Sequence, residues 1–189
     1  MPPTDFETRL TGGHPNSLGR TLEVVELVLA DRTRLEELYA CYASPDAVVR
    51  MRTSNAFKRI ARAHPDWLVP YIDRFLDEIS VLDQASAQWT LAQLCAQLAP
   101  LMDPQQFGKA QQVLQRYLEN QQDWIVLNMT MQTLGIWAAG DPALRAWLAP
   151  HLERLTQDPR KSVAKKARRT MQDLDQLADD SAKRNLDPG

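Results

Sequence analysis

The chain has only two cysteines, three histidines and no apolar run approaching the roughly 18 residues of a membrane span. Its first residues lack the basic start and apolar stretch of a signal peptide, so a cytoplasmic protein with no membrane partner is expected. Cys41 and Cys95 stand in apolar helical contexts without metal-ligand spacing, which predicts reduced core thiols. His14, His64 and His151 lie far apart, and each adjoins a proline. Gly-rich phosphate loops, Gly-x-Ser-x-Gly turns and His-Glu-x-x-His helices are missing as well. No catalytic constellation is visible, so a protein that is not an enzyme and uses no cofactor or metal is expected. No segment reads convincingly as a strand.

A repeated helical word is present. Val49-Arg50-x-x-Thr53-x-x-Ala56-Phe57-x-x-Ile60 returns as Val163-Ala164-x-x-Ala167-x-x-Thr170-Met171-x-x-Leu174. The same frame fits Ala87, Thr90, Leu91 and Leu94, and again Leu127, Thr130, Met131 and Leu134, at spacings of 34, 40 and 40 residues. Apolar and small residues recurring at three and four positions form one buried stripe on a helix. A period near 40 suits two-helix repeats, which bury their apolar faces only by stacking.

Helix starts are well marked. Asp103-Pro104, Asp141-Pro142 and Asp158-Pro159 each set a capping carboxylate before a proline whose missing N–H costs nothing in the first turn, and Asp46 and Asp123 suit the same role. Gly140 and Asn120 are candidate left-handed stops. These signals predict helices near 18–30, 33–43, 46–63, 67–81, 84–98, 104–119, 123–139, 142–157 and 160–178. Pro70 falls in a first turn, where it is tolerated, and Pro150 falls inside its helix. The organisation expected is a flexible arm over 1–16, one domain over 17–178 and a flexible tail over 179–189.

Net charge is −2, but it is unevenly spread. Arg50, Arg52, Lys58, Arg59 and Arg62 lie between Ala47 and Pro65 with no acid among them. Arg160, Lys161, Lys165, Lys166, Arg168 and Arg169 lie between Pro159 and Gln172, again without an acid. Half of the 22 basic side chains therefore sit on two equivalent repeat helices.

The word resembles the HEAT repeat, whose second helix carries Val-Arg/Lys-x-x-Ala-x-x-Ala-Leu-x-x-Ile after an aspartate at the turn. Asp46, Val49, Arg50, Thr53, Ala56, Phe57 and Ile60 match it, with threonine at the first alanine position. Arg50 is the sole match to the family's ladder arginine, since Gln84, Trp124 and Ala164 hold the equivalent positions. Residues 46–174 also resemble a group of small bacterial HEAT-like proteins, through Val49-Arg50-Met51-Arg52, Gln88-Trp89-Thr90-Leu91-Ala92-Gln93 and the run Trp124 to Leu134. The resemblance implies an all-α fold: a right-handed α-α superhelix of about four two-helix repeats plus an N-terminal helix. HEAT-like DNA glycosylases use a tryptophan and an aspartate near a helix start. Trp124 and Asn128 share that spacing, but an amide cannot supply the negative charge.

In a HEAT solenoid the second helices line the concave face, so equivalent exposed positions form columns. One column reads Asn55, Trp89, Met129, Arg169; another reads Arg52, Ser86, Val126, Lys166; a third includes Arg59, Gln93 and Thr133. Basic ends around apolar middles suit a protein or peptide segment with acidic residues, anchored on Trp89. The candidate partner-binding residues are therefore Arg52, Asn55, Arg59, Trp89, Gln93, Met129, Lys166 and Arg169. Nucleic acid is the alternative partner, held at its phosphates by the basic helices 47–63 and 160–172.

Overall fold

The computed structural model describes residues 4–14 and 17–186, with side chains to residue 177. The protein is all-α: 82% is helical, and no strand occurs among the described residues. The helices are α1 (Asp5–Leu10), α2 (Thr21–Ala30), α3 (Leu35–Ala40), α4 (Ala47–Ala63), α5 (Ile72–Arg74), α6 (Ala85–Leu98), α7 (Pro104–Asn120), α8 (Trp124–Ala138), α9 (Pro142–Thr156) and α10 (Lys161–Leu186).

Capping explains most of the boundaries. Asp46 accepts from the Val48 N–H at 2.8 Å and opens α4, and Asp123 accepts from Ile125 and Val126 at the start of α8. Asp141 does the same for Ala143 and Leu144, and Asp158 accepts from the Arg160 N–H. At α7, Asp103 and Gln106 cap each other reciprocally, each accepting from the other's backbone N–H.

Prolines explain the irregular stretch at 65–79. Pro65 and Pro70 each lack the N–H that an α-helix needs, so 65–71 winds as a tighter 3₁₀ run, followed by α5 and a π turn at Phe75–Ile79. The continuous helix expected over 67–81 is thus replaced. Gly140 and Asn120 also depart from expectation: the positive φ angles among the described residues belong to Gly12, Gly13 and Gly19.

The described chain forms two compact units, 1–109 and 110–189, with the boundary inside α7. In the first, α4 packs between α2 and α6, and the 65–79 stretch lies against α4 and α6. Its core is aromatic. Phe57 stacks on Tyr42 with centroids 5.8 Å apart and meets Phe75 edge-on at 5.2 Å, while Tyr39 touches Tyr42, Phe57, Tyr71 and Phe75. In the second unit α8, α9 and α10 pack on one another around an aliphatic core that includes Leu127, Met131, Leu134, Leu148, Leu152 and Val163.

Most of the repeat word is buried in all four helices: Val49, Thr53, Ala56, Phe57 and Ile60 in α4; Ala87, Thr90, Leu91 and Leu94 in α6; Leu127, Thr130, Met131 and Leu134 in α8; Val163, Ala164, Ala167, Thr170 and Leu174 in α10, while Arg50 and Met171 are half-buried.

The expected flexible arm over 1–16 is corrected for its described part. Residues 5–10 form α1, Phe6 and Leu10 are fully buried, and Arg34 lies over the Phe6 ring at 3.9 Å. A short amphipathic turn with two apolar anchors escaped the sequence reading because too few residues carry its period. The helical backbone of α10 likewise continues through 179–186, where a flexible tail was expected; 187–189 lie outside the described residues.

Candidate functional site

Within the second unit α8 and α10 lie side by side, running the same way. Lys166 donates to the Gln132 side chain at 3.1 Å, and one turn further along Gly135 faces Thr170. A Cβ on Gly135 would fall 2.7 Å from the Thr170 methyl, so the absence of a side chain is what lets the two helices approach here. Beside this contact opens a groove of about 570 Å³, lined on α8 by Gln132, Gly135 and Ile136, just past its end by Ala139, and on α10 chiefly by Lys166, Arg169, Leu174 and Leu177.

Two of these side chains are unusually exposed for their type, Ile136 at 58% and Leu177 at 41%. Arg169 is largely in solvent, and its nearest carboxylate, Asp173, is 4.0 Å away. Partial burial and the neighbouring Arg169 both push the Lys166 ammonium below its ordinary range, burial being the larger cause. The groove thus joins an apolar stretch to a cationic end that is incompletely neutralised. Of the sequence-predicted residues the structure brings Lys166 and Arg169 together here; Met129 is half-buried on α8 and does not line the groove.

In the first unit the prediction for Arg52 is corrected. Its side chain is 1% exposed, and all five guanidinium N–H groups are engaged. Nε donates to the Ser17 carbonyl at 3.1 Å; one terminal nitrogen donates to the carbonyls of Leu10 and Gly12 at 2.6 and 2.7 Å; the other donates to the His14 carbonyl and the Ser17 hydroxyl, both at 3.2 Å. Gly19, at φ +50°, sits where a Cβ would come within 2.7 Å of the Arg52 guanidinium carbon. Position 52 lies roughly 60° around the helix from the buried Val49. It therefore faces inward to the loop after α1 rather than outward to a partner. Ser86, Val126 and Thr133, from the same predicted columns, are buried too.

Asn55, Arg59, Trp89 and Gln93 are half-buried. Arg59 donates through Nε to the Asn55 side-chain Oδ1 at 2.9 Å, and Trp89 and Gln93 lie on α6, which packs against α4. Arg50, nearer the start of α4, donates to Gln84 at 2.7 Å and to the Ser44 carbonyl at 2.6 Å. It thus reaches the residue that holds its equivalent position one repeat later.

The glycosylase-like pair is split by its environment. Trp124 is 48% exposed, whereas Asn128 is buried with its side-chain oxygen unpartnered among the described residues. Asp141, the carboxylate four residues after Trp137, is committed to capping α9. Among the described residues no three of His, Cys, Asp or Glu gather to hold a metal ion, and no helix is long and apolar enough to cross a membrane. Cys41 and Cys95 are buried free thiols, raised by burial to about 11 and about 12.

Sequence reasoning missed Gln132, Ile136 and Leu177. The available signal was an apolar residue beyond the word: Ile136 follows the last word residue of α8 by two positions, off its stripe, and Leu177 extends the α10 stripe by three. Comparison with known proteins gives no match: no family model, curated protein or solved structure is significantly similar to this chain.

Proposed function

We propose that the protein is a cytoplasmic, non-enzymatic interaction module of HEAT-like, superhelical design that holds a partner protein segment on the second helices of its repeats. One observation carries the reading: in the second unit the α8 and α10 helices leave Ile136 and Leu177 exposed beside Lys166 and Arg169, at the rim of an open groove. Apolar surface bordered by incompletely neutralised cations is the composition of a docking face rather than of a reaction centre. The buried repeat word and the shared aspartate caps support the HEAT-like reading, and the buried thiols are in keeping with a reducing compartment.

The test is affinity capture from native lysate, with and without nuclease, using the parent chain and an Ile136→Asp, Arg169→Glu variant of unchanged helicity. The reading requires a protein that survives nuclease and is lost with the variant.

A second reading rests on α4. Among the described residues Lys58 and Arg62 form no ion pair, and the Lys58 ammonium is pushed below its ordinary range, first by burial and then by Arg62 and Arg59. Such a cluster suits a phosphate backbone. Capture that disappears with nuclease and weakens steeply with salt would favour nucleic acid.

A further inference from the structure

We infer that the groove between α8 and α10 takes an amphipathic helix of about three turns, apolar along one stripe and carrying carboxylates at one end. The inference rests on the interaction-module reading and specifies its partner.

Length comes first. The lining residues on α10 run from Lys166 to Leu177, and eleven helical steps span roughly 16 Å, or about three turns. Polarity comes second. Because Lys166 meets Gln132 and Gly135 meets Thr170, the two helices run parallel and the groove has distinct ends. Lys166 and Arg169 mark one end, Ile136 lies near the middle, one residue past Gly135, and Ala139 and Leu177 mark the other end. Asp173 lies between them and only reaches Arg169 at 4.0 Å, so a partner's carboxylate at the cationic end has an unfilled role.

Backbone chemistry selects a helix over an extended strand. The walls are the sides of two α-helices, whose backbone groups are already paired, so the groove offers no sheet edge to which a strand could add. A helical segment satisfies its own backbone and can seat its side-chain ridge between α8 and α10. The apolar end also argues against nucleic acid at this site, because phosphates gain nothing from Ile136 and Leu177.

The test uses the full chain against three displayed peptide libraries of about 16 residues, long enough to frame three helical turns. One holds amphipathic helices with glutamates at one end, one holds the same helices with lysines there, and one holds proline-interrupted extended peptides. The expected result is enrichment from the glutamate library alone, with affinity that drops about tenfold or more on Lys166→Glu and on Ile136→Asp and that weakens with salt. Each variant keeps its far-ultraviolet circular dichroism, since both side chains stand at the groove rim. Equal enrichment of the lysine library, enrichment of the extended library, or no enrichment from any library overturns the inference. The interaction-module reading fails separately: it falls if no nuclease-resistant protein is captured, and it stands if one is captured whose segment crosslinks to Ile136→Cys in an extended form.

Discussion

Arg52 in the first unit and Lys166 in the second hold the same position in the repeat word, yet they have opposite fates. Arg52 is sealed among four carbonyls and a hydroxyl from the end of α1 and the loop that follows, while Lys166 stands at the edge of an open groove and donates to Gln132. Register in a repeat therefore fixes which way a side chain starts from the helix, and neighbouring chain decides whether it ends in protein or in solvent. The cores differ in the same spirit: rings interlock in the first unit, and mostly aliphatic side chains, with Tyr117 among them, fill the second.

The largest expected effect separates those two cations. Arg52→Met removes five hydrogen bonds, the one to the Leu10 carbonyl fully buried, and should cost about 2–4 kcal/mol, with faster amide exchange over α1, whereas Lys166→Met should change stability by less than about 0.5 kcal/mol. Urea denaturation of both variants measures the contrast. Equal losses would show that the sealed and open sites are energetically alike.

Glycines give the next contrast. Gly19→Ala would force both a left-handed φ and a collision with Arg52, and Gly135→Ala would crowd the Thr170 methyl, so each should destabilise by about 1–3 kcal/mol. Gly108, inside α7 with open space around it, should gain about 0.5–1 kcal/mol on substitution by alanine. Thr170→Ser removes the crowded methyl and should recover part of the Gly135→Ala loss in a double-mutant cycle.

A smaller effect depends on pH. The Arg160 guanidinium beside Asp158, with a bond from the Arg160 N–H, holds that carboxyl below its ordinary value. Because the folded-state value is the lower one, this contribution is complete above about pH 4 and is lost as pH falls through the folded value. Asp158→Asn should therefore cost about 0.5 kcal/mol near neutrality, and the two proteins should converge in strong acid. Persistence of the difference at the lowest pH would assign it to packing instead of charge.

The thiols give the smallest perturbation and compare the buried interiors without altering them. Cys41 and Cys95 should react with a thiol reagent at mildly alkaline pH only as fast as the protein opens, since burial both blocks access and raises their thiols to about 11 and about 12. Immediate labelling of Cys41 would mean that α1, whose Thr4 cap approaches its sulfur at 3.8 Å, opens independently.

Much of this was legible from the residues. The aspartate caps placed the starts of α4, α7, α8, α9 and α10 to within a residue or two, because one carboxylate before a first turn is a purely local interaction. The word's buried stripe was legible for the same reason. Position 52 was misread because its partners lie 35 to 42 residues away in a loop that carries no period of its own. Ile136 was missed because exposure is a property of neighbours, and an apolar residue on a helix flank reads as core until the adjoining helix is placed.

The sequence by itself determined an all-α chain, the order and ends of most helices, and the stripe each repeat buries, since these follow from hydrogen-bond capping and the 3.6-residue period. Only the tertiary structure decided that α1 is docked, that Arg52 is interior, and that Lys166, Arg169, Ile136 and Leu177 share one groove. Those outcomes depend on contacts between residues far apart in the chain, and local periodicity holds no information about which distant surface fills or leaves open the space beside a helix.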